Sequence, residues 1–140
     1  MVNLRETADR HGPPSMENNM EYRAISFAQE FQLFDEQWQP KVIAELNDYQ
    51  FKVVRLLGDF IWHSHKDTDE AFIVIDGNLR IDFRDGVVHV RAGEMFVVPK
   101  GIEHKPYGEN EVKLLLIEPR GVPNTGEAGG ERTAELDVWI

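Results

Sequence analysis

Apolar and polar positions change their spacing along the chain. Phe27, Phe31 and Phe34 fall at i, i+4 and i+7, one face of a helix. Ser26 and Gln29 have the capping-box spacing at its start, so one short amphipathic helix is expected, its aromatic stripe packed on something apolar. From Lys41 the runs shorten to strand length. Residues 42–46 end at Asn47-Asp48, and residues 49–57 alternate for part of their length before Gly58. Asp76-Gly77 separates 72–75 from 79–83, and Asp85-Gly86 separates that run from 87–90. Asp-Gly between alternating apolar runs signals a hairpin. Residues 95–98 end at Pro99-Lys100-Gly101, and 112–117 close at Pro119. Many short strands behind one helix predict an all-β sandwich or barrel.

The two ends break this pattern. Residues 1–24 are rich in charged residues and Asn around Gly12-Pro13-Pro14, with no apolar period, and read as a flexible tail in which His11 is solvated. Residues 121–140 begin with Pro123, Gly126, Gly129 and Gly130 and finish Leu136-Asp137-Val138-Trp139-Ile140. A flexible stretch with a large apolar tip docks that tip, here across the barrel or onto a partner subunit. The expected organisation is a tail over 1–24, one folded domain over 25–120, and a docking segment over 121–140. Ala71, Ile73 and Ile75 make the outward parity of their strand apolar too, which favours a homodimer.

Composition narrows the function. A chain of 140 residues is one domain with a core that needs no staples. The lack of cysteine removes disulfides, thiolate metal sites and cysteine nucleophiles. A formal net charge of −10, from 15 basic and 25 acidic residues, argues against nucleic acid or an anionic membrane surface as partner. No run reaches transmembrane length and no apolar signal core opens the chain. A cytoplasmic protein is expected.

The chemistry concentrates in Trp62-His63-Ser64-His65-Lys66-Asp67-Thr68-Asp69-Glu70. In a strand, residues i and i+2 face one side, so His63 and His65 can aim at one point. A turn over 66–69 would bring Glu70 beside them at the start of the next strand. Imidazoles with a carboxylate suit a mid-series transition metal or zinc. Pro99-Lys100-Gly101 makes a second turn, after which His104 opens another strand with Glu103 before it. Phe60, Trp62 and Phe72 read as core, although Phe72 shares parity with Glu70 and could line a pocket.

Gly58, His63, His65, Glu70 and Gly77 resemble the first cupin motif, and Gly93, Pro99, Gly101 and His104 the second. Two departures occur: four residues rather than five separate Gly58 from His63, and Gly108 stands where the second motif often has asparagine. Neither falls on a histidine or the glutamate. The resemblance implies a double-stranded β-helix, the jelly-roll barrel of cupins, over a cupin domain at 25–120. It implies one divalent metal ion (Fe, Mn, Ni, Co, Cu or Zn) held by His63, His65, Glu70 and His104, with positions open for water or a small-molecule ligand. Such small cupins are metal-dependent oxygenases or isomerases acting on small polar or chelating metabolites, or non-catalytic binding proteins for a sugar or similar ligand. An isomerase needs a base away from the metal, for which His89 and Tyr107 are candidates. Phosphate recognition needs clustered cations, and Lys52, Arg55, Arg80, Arg84, Lys100 and Lys105 are scattered along the sequence.

Overall fold

The computed structural model describes residues 22–140; most of the expected tail, with His11, lies outside the described residues. Helix α1 (Phe27–Phe31) begins where Ser26 accepts a hydrogen bond from the Gln29 backbone N–H at 3.3 Å. It ends before Phe34, yet Phe31 and Phe34 are both buried, their rings 5.8 Å apart. A helix this short cannot hold itself together. Arg55 secures it: Nε donates to Phe34 O at 3.0 Å, Nη2 donates to Phe31 O, and Nη1 donates to Glu111 Oε1 at 2.6 Å. Carbonyls left over at a helix C-terminus attract a cation.

Seven strands follow: β1 (Lys41–Leu46), β2 (Tyr49–Asp59), β3 (Glu70–Asp76), β4 (Asn78–Phe83), β5 (Gly86–Arg91), β6 (Met95–Val98) and β7 (His104–Pro119). Every pairing is antiparallel. One path runs β1-β2-β7-β3-β6, and β4 joins β5 to β7. Strand β7 belongs to both halves. His104 to Tyr107 lie opposite Phe83 to Arg80 of β4, while Leu114 lies between Val54 of β2 and Val74 of β3. The result is a jelly-roll barrel.

The sequence places a strand start at His104 and a separate run over 112–117, but the two are one strand: β7 runs through Gly108-Glu109-Asn110 for 16 residues. Its polar stretch lies where it passes from one half to the other, beside the register shift at Leu56/Gly58. A Cβ on Gly108 would lie 2.8 Å from Asn110 O and 2.9 Å from the Val112 side chain, so an asparagine has no room here.

The sheet is apolar on both faces. Val54, Leu56, Phe72, Val74, Ile81 and Leu114 fill the barrel. Phe31 and Phe34 pack outside it on Ile43, Val53 and Leu115. At the C-terminus Trp139 is buried; the Val42 N–H donates to Val138 O at 2.7 Å and the Ile140 N–H to Val42 O at 3.3 Å. Among the described residues no helix is long and apolar enough to cross a membrane.

Phe31→Ala should cost about 3–5 kcal/mol, as for other fully buried phenylalanines. Half-buried Phe27 should cost clearly less when truncated the same way. Urea unfolding of both variants checks this, and equal losses would show that α1 does not anchor through Phe31.

Candidate metal centre

Three structural devices bring the histidines and the glutamate together. Glu70 is the first residue of β3 and His104 the first of β7. His63 and His104 form an isolated bridge, each backbone N–H donating to the other's carbonyl, at 3.0 and 2.9 Å. The rest of the His63–His65 stretch is irregular rather than the strand the sequence suggests. Its two rings nonetheless meet, 5.2 Å apart and nearly perpendicular. The Pro99-Lys100-Gly101 turn is tied to this stretch: Gly101 N–H donates to His65 O at 2.8 Å, and Lys100 N–H to Asp69 Oδ1 at 2.9 Å.

The four side chains are all buried, and one ligating atom from each lies within 4.8 Å of every other. Nδ1 of His63 donates to Ile61 O and Nδ1 of His104 to Ile102 O, both at 2.9 Å. A proton held there leaves the Nε2 lone pair free to ligate, the usual orientation device for a metal-binding histidine. His65 Nε2 and His104 Nε2 approach Glu70 Oε1 at 3.3 and 3.5 Å, and none of these three buried atoms has a hydrogen-bond partner among the described residues. Buried polar atoms are normally satisfied. The cluster can hold a metal ion, and its orphaned atoms fit one.

Electrostatics follow from burial. Desolvation, with the neighbouring His104 next, pushes His63 down to about 4. Burial alone would raise the Glu70 carboxyl, but the His104 and His65 imidazoles outweigh it and hold Glu70 well below the usual carboxylate range. Behind Glu70 lies Glu118, whose carboxyl burial and the Glu70 charge push well above that range, against the pull of Lys52. Lys52 Nζ sits 2.9 Å from Glu118 Oε1, both side chains sealed inside the barrel. Sequence reading missed this pair, although Lys52 shares parity with Val54 and Leu56, and Glu118 with Leu114 and Leu116, all of them buried.

A narrow cavity of about 40 Å³ adjoins His63 and Glu70, walled by Trp38, Phe60, Phe72, Leu114 and Leu116 among others. Trp38 and Phe60 stack, with centroids 4.7 Å apart. Phe60 and Phe72 are therefore wall as well as core. Trp62 is instead half-buried, with Arg84 stacked 3.8 Å from its ring, and lines an open outer groove of about 270 Å³ that also touches His63. His89 is exposed on β5, and Tyr107 lies under the Arg80 guanidinium at 4.2 Å. Neither lines the cavity.

Residues 54–118 match the cupin domain family. A cupin-2 domain containing protein from Shewanella frigidimarina is 56% identical, with a TM-score of 0.68 over 69% of this chain and 94% of that one. This chain belongs to the cupin family. A Neisseria meningitidis protein is 39% identical, with a TM-score of 0.64 over 69% of this chain and 99% of that one. YdbB of Bacillus subtilis is 41% identical over 77 residues, covering 54% of this chain and 68% of its own length. The His63, His65, Glu70 and His104 cluster fits a metal-binding cupin.

The low His63 pKa sets a pH dependence. Unfolded, the group titrates near 6.5; folded, at about 4. Between those values the unfolded chain binds more protons, so the metal-free cupin is fully stabilised above 6.5 and loses stability as pH falls toward 4. The loss from this group is up to roughly 3 kcal/mol. Urea unfolding at pH 7 and pH 4.5 measures it, and His63→Gln should flatten the difference; an unchanged slope would contradict the assignment.

Proposed function

We propose that this cupin holds one divalent ion on His63, His65, Glu70 and His104 and works as a metal-dependent oxygenase. Its substrate would be a small chelating molecule with an apolar body. The observation that carries this reading is the apolar wall of the cavity beside His63 and Glu70, which at about 40 Å³ has room for a substrate's chelating end rather than for the whole molecule. Among the described residues those two are the only titratable side chains on its wall. A sugar phosphate would need cations there, and five of the six candidate cations are engaged elsewhere, Arg55 at α1, Arg80 on Tyr107, Arg84 with Glu103, Lys105 with Asp59 and Lys52 with Glu118, while the sixth, Lys100, does not line the cavity.

Three neutral imidazoles and one carboxylate leave a dication with one net positive charge, suited to an anionic or polarised chelating group. Bound iron or copper supplies one-electron chemistry with dioxygen, and any of the six candidate metals a Lewis acid. The chain's own part is to exclude water with Trp38, Phe60 and Phe72, to orient the substrate's chelating end, and to fix the His63 and His104 imidazoles by their Nδ1 hydrogen bonds. With no base on the cavity wall other than the ligands among the described residues, isomerisation is the weaker reading. The same lack favours, as a second reading, a non-catalytic binding protein for a small ligand.

We also propose a homodimer through the outer sheet face. Met95 and Val97 on edge strand β6 are 56% and 44% exposed, next to Ile73 and Ala71 on β3. Apolar surface exposed along an edge is normally covered. Light scattering should give twice the 16.1 kDa chain mass, and Val97→Asp should halve it; a monomeric parent removes the proposal.

Metal analysis of protein purified without a metal-binding tag tests the ligand set. His65→Ala should lose the ion and His89→Ala should keep it; equal retention would refute the assignment. Oxygen uptake by the iron-loaded cupin with small vicinal diols and enediols then separates the readings. Uptake coupled to substrate loss supports the oxygenase, whereas tight binding without turnover supports the binding protein.

A further inference from the structure

The irregular His63–His65 stretch must find partners for its backbone outside any regular ladder. Gly101 supplies one, to His65 O. Glu127 supplies another, its N–H donating to Ser64 O at 2.9 Å. Glu127 lies beyond residue 118, where the cupin-domain match ends. Beside it, Gly126 has φ +55°, and an added Cβ would stand 2.1 Å from Ser64 O and 3.1 Å from His65 Nδ1. The C-terminal backbone thus lies flat on the residue between the two histidines and against the back of the second imidazole.

This strap is anchored, not draped. Thr125 is fully buried, its hydroxyl 2.6 Å from that of Thr133. Asn124 Nδ2 donates to Trp38 O and Arg132 O, and its Oδ1 accepts from the Ala134 N–H. Asn124 lines the inner cavity, while Glu127 and Ala128 line the outer groove.

We propose that Gly126 is a positioning residue of the metal centre: through it the C-terminal strap clamps Ser64 and His65 and holds the His-Ser-His segment in ligating geometry. The proposal rests on the metal reading above. An irregular segment held at few points samples other conformations, and the aim of a ligating imidazole is set by what packs behind it. A side chain at 126 collides with a backbone oxygen, which cannot rotate away as a flexible side chain does. Segment or strap must shift, and the close contact behind His65 is lost either way. Strap and ion are then thermodynamically coupled, and the coupling is reciprocal.

The test compares cobalt(II) binding by the full-length parent, Gly126→Ala and Gly129→Ala, using chelator competition and the visible spectrum of the bound ion. Gly129 has φ +61° but nothing within 4 Å of an added Cβ; its variant carries the backbone strain without the collision. Gly126→Ala should weaken cobalt binding about tenfold or more and change the spectrum, while Gly129→Ala should do neither. Independently of any variant's folding, zinc loading of the parent should slow hydrogen exchange at the Glu127 amide. Equal cobalt affinity and spectrum in Gly126→Ala and the parent, or exchange at Glu127 that zinc leaves unchanged, overturns the proposal. A parent that binds neither ion overturns the metal reading itself, and shows it before any variant is made.

Discussion

Burying polar atoms without partners is among the more expensive things a small protein can do, at about 1–3 kcal/mol for each unsatisfied group. Here His65 Nε2, His104 Nε2 and Glu70 Oε1 meet inside the barrel without a hydrogen bond from any described residue. The surrounding backbone is arranged to hold them so. The His63–His104 bridge, the Pro99–Gly101 turn and the strap at Gly126 each fix one part of the cluster. Apolar packing elsewhere in the barrel offsets the cost of keeping such groups dry.

The interior carries more charge than the ligand set alone. Glu118 and Lys52 continue the cluster behind Glu70, so two carboxyls and an ammonium share a space sealed from water. Two adjacent buried carboxyls do not both ionise readily. The opposed shifts of Glu70 and Glu118 express this: the carboxyl facing the imidazoles keeps its charge and the one facing Lys52 tends to keep a proton. The field at the cluster is therefore set partly by residues that touch neither the cavity nor an ion.

Much of this was legible in the sequence because it is encoded locally. Alternation and Asp-Gly turns placed the strands to within a few residues, and Ser26 with its phenylalanine spacing placed the helix. Pro99, Gly101 and His104 pointed to the distant third imidazole. What was not legible depends on pairing far along the chain. The continuity of β7 follows from its exchanging partners at Gly108, which no local period reports. The irregular course of His63–His65 follows from ties to residues 101, 104 and 127. Lys52 and Glu118 carried a usable signal, a charge on inward parity, but alternation alone assigns such residues to solvent. Trp38 and Asn124 reach the cavity from segments with no periodic pattern at all.

The central claim is that these four side chains converge on one ion. X-ray absorption spectroscopy of the zinc-loaded or iron-loaded cupin tests it most directly. The account predicts a single site with three imidazole nitrogens and a carboxylate oxygen at about 2.0–2.2 Å. A spectrum with fewer than three imidazoles around the ion would contradict it.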